Sequence, residues 1–196
     1  MNKFAATVLA FTLLIALPLV AQEETEAVDP FVSWETKAAD WERYAHLEGK
    51  FEVYTPGIFQ EKIDSLDTPL GILAYHTFFF RPPSDEADNE VYMVSYVDYP
   101  LGTVHQDSTE LLEALFTETQ DAATSSLRGE LLFSEAGFDA GKPFRYWRID
   151  YLNGRASIRT KALVCDNRFY TVQTVTQREY GLNKSTDRFI DSFKVY

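Results

Sequence analysis

The sequence predicts an α+β domain: an antiparallel sheet of about six to eight strands with helices packed on both faces, an α/β/α sandwich. Three observations carry this expectation. Extended segments follow one another through short turn signals, chief among them Asn153-Gly154 and Asp166-Asn167, whose residues tolerate positive φ. Alternate residues of a strand share a face, so Ile72, Ala74, His76, Phe78 and Phe80 oppose Leu73, Tyr75, Thr77 and Phe79. Both sets are mainly apolar, whereas a sheet wetted on one side alternates, so this sheet is expected to be covered on both sides. The cover is expected to come from helices, and Leu111, Leu112, Leu115, Phe116, Thr119, Ala122 and Ala123 recur at helical spacing behind the capping signal Asp107-Ser-Thr-Glu110.

The chain opens on Met1-Asn-Lys3, an apolar run from Phe4 to Leu17, and Pro18-Leu-Val-Ala21, after which it turns abruptly polar and acidic at Gln22. A charged start, an apolar middle and a small residue at the boundary form a secretory signal cut after Ala21. Leu19, three before the cut, is larger than ideal, so an uncleaved signal anchor is the competing expectation. Residues 1–21 are read as signal peptide, 22–40 as an acidic segment with little to bury, and 41–196 as one globular domain. The expected location is exported, periplasmic or secreted, with no stable membrane anchor after cleavage. Whether the stretch around Trp34 and Trp41 is a short helix or an extended lead-in is left open by its pattern.

Within the domain, Trp41 to Gly57 reads as a hairpin turning at Leu47-Glu-Gly-Lys50 and ended by Pro56-Gly57. A strand around Phe59 to Ile63 leads through Asp67-Thr-Pro-Leu-Gly71 into Ile72 to Phe80, which Pro82-Pro83 stops. Asp85-Glu-Ala-Asp-Asn-Glu90 reads as a solvated loop before a strand from Glu90 to Tyr99. Further strands are expected over Glu130 to Ser134, Pro143 to Leu152, Ala156 to Cys165 and Arg168 to Thr176. Ser185-Thr-Asp187 can cap a short terminal helix whose apolar stripe is Phe189, Ile190 and Phe193.

With 18 basic and 30 acidic residues the formal charge is −12, and loss of Lys3 with the signal makes it −13. Such a surface repels phosphate backbones and anionic headgroups, so nucleic acid and membrane surfaces are not expected partners. Cys165 is the single cysteine, which leaves the exported domain without an internal disulfide. Its neighbours Ala162-Leu-Val164 suit a small apolar residue, and Asp166 pushes the thiol pKa away from reactivity.

The standard catalytic signatures are absent: there is no phosphate-binding glycine loop, zinc cysteine pair, His-Glu-x-x-His or nucleophile elbow. His46, His76 and His105 lie on three separate segments. No catalytic residue, metal ligand or cofactor is therefore expected. Two residues are ligand-binding candidates. His76 sits on an aromatic strand face, where a neutral imidazole with one hydrogen bond is the competing packing role. Arg148, in Phe144-Arg-Tyr-Trp-Arg-Ile-Asp-Tyr151, borders aromatics as a ligand surface can, or packs its stem on the sheet with its head on a carboxylate. Asn183-Lys-Ser185 also fits a glycosylation sequon.

Four segments, 49–57 (GKFEVYTPG), 91–100 (VYMVSYVDYP), 166–176 (DNRFYTVQTVT) and 189–194 (FIDSFK), together resemble the PsbP-like and DcrB-like superfamily of envelope proteins. The resemblance covers about residues 41 to 196 and implies an antiparallel sheet with helices on both faces. It implies little about activity, since fold does not fix function. The expected function is a non-enzymatic accessory or interaction module of the cell envelope with a protein partner. The competing expectation is a small-molecule-binding protein or hydrolase with a site between sheet and helix.

Overall fold

The computed structural model describes residues 41–83, 87–104, 108–177 and 183–196. The signal segment, the lead-in 22–40, the first residues of the acidic loop, His105 and Asp107 lie outside the described residues. In chain order the elements are β1 (Glu42–His46), β2 (Phe51–Thr55), β3 (Gln60–Thr68), β4 (Gly71–Phe80), β5 (Val91–Asp98), α1 (Thr109–Leu127), β6 (Glu130–Asp139), β7 (Lys142–Tyr151), β8 (Ala156–Cys165), β9 (Arg168–Gln177), α2 (Lys184–Ser192) and β10 (Lys194–Val195). Seven strands form one sheet in the order β3-β4-β5-β9-β8-β7-β6, and β1-β2-β10 form a second, smaller one. All the pairings are antiparallel.

Turn chemistry explains most of the connections. The β7–β8 loop holds Leu152, Asn153 and Gly154 at positive φ, and Asp166 takes φ 56° between β8 and β9. Two connections extend beyond the turns expected from sequence. β3 runs on to Thr68, so only Pro69 and Leu70 link it to Gly71, and Thr68 Oγ1 closes that turn by accepting the Leu70 N–H at 3.1 Å. β6 runs on to Asp139 rather than ending at Ser134, and turns into β7 through Ala140 at φ 48° and Gly141 at φ 79°. Alanine rarely takes that conformation, which is why Asp139-Ala-Gly-Lys142 gives no strong turn signal.

Buried side chains divide by strand parity into two clusters. The first face gathers Leu73, Val97, Trp147, Ile149, Ile158, Ala162, Val164 and Phe169 under Leu112, Leu115, Phe116 and Ala123 of α1. The second gathers Phe78, Tyr92, Val94, Tyr96, Leu163, Tyr170 and Val172 under Phe51 and Val53 of the small sheet, with Phe189, Ile190 and Phe193 at the end of the chain. The expectation that helices alone cover the sheet is thus modified on this side, where β2 supplies much of the cover. A strand face bearing Phe51 and Val53 meets a sheet as effectively as a helix stripe does.

Helix ends also differ from the sequence reading. Ser108 precedes α1 as its N-cap without a side-chain hydrogen bond, and Leu111 is exposed rather than part of the buried stripe. The N-cap of α2 is Asn183, not Ser185: its Oδ1 accepts from the Thr186 N–H at 2.7 Å. Asn183 Nδ2 donates to Asp88 O and Asn89 Oδ1, so the amide of the sequon is occupied in holding the helix start.

Candidate functional site

Near one end of the second face the β1–β2 turn is tied to the main sheet by backbone contacts that sequence spacing did not reveal. Arg168 Nη1 donates to Glu48 O at 2.7 Å, and the Tyr170 hydroxyl donates to Gly49 O at 2.8 Å. Within the turn the Gly49 N–H donates to His46 Nδ1 at 2.9 Å. A Cβ at Gly49 would lie 2.7–2.8 Å from His46, Phe51 and Tyr96, so the close approach of turn to sheet requires glycine there.

Beneath the turn, sheet register places His76 of β4 opposite Tyr96 of β5, and Tyr96 opposite Tyr170 of β9. The His76 and Tyr96 rings stack with centroids 4.4 Å apart and an interplanar angle of 8°. Arg168, one strand further on, lies over the same Tyr96 ring at 4.3 Å. Tyr96 is therefore held between an imidazole on the β4 side and a guanidinium on the β9 side. Arg168 is fixed in turn by Asp98, which accepts from Nε and Nη2 at 2.6 Å each. That pairing is the main reason the guanidinium pKa is raised, while burial opposes it. Burial pushes Tyr96 up to about 12 against the lowering effect of Arg168, and Tyr170 likewise to about 12.

His76 is half-buried. Its Nδ1 has no hydrogen-bond partner among the described residues, and Glu61 Oε1 lies 3.8 Å away, too far for a hydrogen bond but close enough to pair with a protonated ring. Beyond His76 the same face becomes exposed. Ile63, its register partner on β3, is 56% exposed, and Ile72 is 77% exposed beside the exposed Ala74. On the β1–β2 turn Leu47 is 83% exposed. A stiff turn, one partly buried imidazole and several uncovered aliphatic side chains make a surface suited to docking.

Arg148 does not join this group. It lies on β7, separated from β4 by β8, β9 and β5, which places it roughly 19 Å from the His76 strand at the usual strand spacing. Its Nε and Nη2 donate to Asp150 Oδ1 and Oδ2, two residues along the same strand, at 2.9 and 3.3 Å. Opposite it on β8, Arg159 donates to Asp187 of α2 at 3.2 Å. His76 and Arg148 are thus two separate second-face positions, and polar groups do not converge on them as one site.

Sequence reasoning missed two other polar groups. Asn89, in the loop read as solvated, is fully buried, and its Oδ1 accepts from Thr176, Thr186 and Asn183 while its Nδ2 donates to Tyr92. The interval Asp88-Asn-Glu90 carries no periodic pattern, so only the threonines at the ends of the facing elements hint at this node. On the first face, Tyr75, Ser95 and Thr171 hydroxyls form a chain with links of 2.7 and 2.5 Å, and Gln173 donates to Thr160 at 3.0 Å. Parity applied to Thr171 and Gln173 would have placed both on one buried face. Cys165 is half-buried, and burial, with Asp166 second, pushes its thiol up, away from nucleophilic use. Among the described residues no cluster of metal-binding side chains occurs, and no helix is long and apolar enough to cross a membrane.

No protein-family model matches the sequence, and no curated protein matches it. Among solved structures, the chain is similar to the solution structure of cyanobacterial PsbP (CyanoP) from Synechocystis sp. PCC 6803, with 12% identity and a TM-score of 0.52. The match covers 85% of this chain and 99% of that one. At that identity the likeness speaks for architecture alone. The seven- and three-stranded antiparallel sheets with their two helices have a PsbP-like fold.

Proposed function

We propose that the protein is an exported, non-enzymatic accessory module that docks a protein partner on the second face of the β3–β4 hairpin. The observation that carries this reading is that Ile63 and Ile72 of the β3–β4 hairpin, on the same sheet face as His76, are both exposed, as is Leu47 on the β1–β2 turn. Isolated exposed apolar residues are ordinary, but two exposed isoleucines on one face of a single hairpin are a pattern of interaction surfaces. The PsbP-like fold supports an accessory role by analogy only. We read its layers as α1 on one face of the sheet and α2 with the small sheet on the other.

The sequence before Gln22 supports export, periplasmic or secreted. N-terminal sequencing of the exported chain should begin at Gln22, and recovery of the intact segment in membranes would favour the anchor instead. Docking is tested by using the folded domain to capture a partner from its native compartment. A stoichiometric partner that is lost on Ile63→Asp or Ile72→Asp and kept on Phe138→Asp supports the reading. A partner equally retained by all three variants contradicts it.

A further inference from the structure

Resting on the docking function just proposed, we infer that the partner is bound as an added strand on the free edge of β3, and that this strand is basic. Among the described residues β3 and β6 are the two edges of the seven-stranded sheet, and an edge strand presents unpaired backbone N–H and C=O groups to any extended chain alongside. The two edges differ. β6 carries a register shift between Leu131 and Phe133, a bulge of the kind that disrupts further pairing. β3 is in unbroken register with β4 from Gln60 to Thr68, and contains neither proline nor glycine. It offers nine residues of regular edge, close to 30 Å at about 3.3 Å per residue.

Charge selects the occupant. Lys62 of β3 is already paired with Asp64 at 2.9 Å, which leaves Glu61 and Asp67 as the charges on the second face, flanking Ile63 and Ser65. A second copy along the whole edge is disfavoured: the antiparallel register that uses all nine residues is centred on Asp64, and it sets that carboxylate against its own copy and Glu61 against Asp67. The chain's own segment 22–40 is disfavoured for the same reason, since it carries Glu23, Glu24, Glu26, Asp29, Glu35 and Asp40 against Lys37 alone. A strand that alternates in phase with β3 instead places a lysine or arginine opposite Glu61 and another opposite Asp67, with an aliphatic residue against Ile63. The recognised chemistry is an extended segment with basic residues six positions apart and a branched aliphatic residue two positions inside one of them.

The probe is a capped peptide of that pattern, with lysine at both ends of the seven-residue core and valine at the inner positions, followed by hydrogen exchange and fluorescence anisotropy on the full chain. Binding is expected to slow exchange of β3 amides and not those of β6, and to weaken at least about tenfold from low to high salt, as exposed charge pairs are screened. The double variant Glu61→Lys, Asp67→Lys should lose this peptide and bind its glutamate-ended counterpart. Unchanged β3 exchange at saturating peptide, equal binding of the glutamate-ended peptide, or protection of β6 instead would overturn the inference. Self-association with protection of β3 would assign the edge to a second copy and overturn it too. Ser65→Pro separates this inference from the function it rests on: a native partner retained by a folded Ser65→Pro domain yet lost on Ile72→Asp leaves docking intact and strand addition refuted.

Discussion

The guanidinium of Arg168 lies 4.3 Å above the ring of Tyr96, and the same side chain reaches across to the carbonyl of Glu48 in the β1–β2 turn. One residue thus couples the main sheet to the small one. Arg168→Ala removes the stack, two bonds to Asp98 and the bond to the turn, and should destabilise the domain by about 2–3 kcal/mol in urea unfolding. Arg168→Lys keeps a charge but not the planar fork, and should recover less than half of that loss. Equal stability of the wild type and both variants would show that the turn is held by other contacts.

Asn89 should be among the least replaceable residues of the domain. Asn89→Ala leaves the Thr176 and Thr186 hydroxyls and the Tyr92 hydroxyl short of a buried partner, and a loss of roughly 2–4 kcal/mol is expected. Because the node joins the loop before β5 to the start of α2, amides near Thr186 should also exchange faster. Exchange unchanged there would place the node's importance elsewhere.

Gly49→Ala tests the close approach of turn and sheet. The new methyl group would meet His46, Phe51 and Tyr96 side chains at 2.7–2.8 Å, an overpacking that should cost about 1–3 kcal/mol. Its signature would be local: the Tyr96 and His46 resonances should shift, while those of Trp147 on the opposite face stay in place.

Alkaline unfolding follows from the buried phenols. Burial raises Tyr96, Tyr99 and Tyr170 from the ordinary value of 10.0 to about 12, so the folded state holds protons that the unfolded chain releases. Their stabilising contribution is complete below pH 10 and is lost as pH rises toward 12. The urea midpoint should fall across that window, and Tyr170→Phe should flatten the fall. A midpoint independent of pH there would mean that these phenols ionise without opening the fold.

Much of the architecture was legible in residue patterns. The two apolar parities of Ile72 to Phe80 foretold a sheet covered on both sides, and Asn153-Gly154 marked its hairpin through backbone chemistry alone. What stayed hidden was cover by β2 beside the terminal helix, since Phe51 and Val53 alternate like any half-buried strand. The site was less legible. His76 was visible as an unusual residue, but its stacking on Tyr96 depends on register, and the role of Arg168 depends on a turn more than a hundred residues away in the chain. Arg148, equally conspicuous in sequence, closes on its own neighbour Asp150. Composition can mark a charged residue on an aromatic strand, yet only the order of strands decides which partner it meets.

The claim that the β3–β4 hairpin is the docking surface is tested most directly by placing a photo-reactive amino acid at Ile72, and separately at Phe138 on the far side of the sheet, and irradiating the protein in its native compartment. The account predicts a single discrete adduct with another protein from position 72 and none from position 138. Adducts from 138 alone, or none from either position, would contradict it.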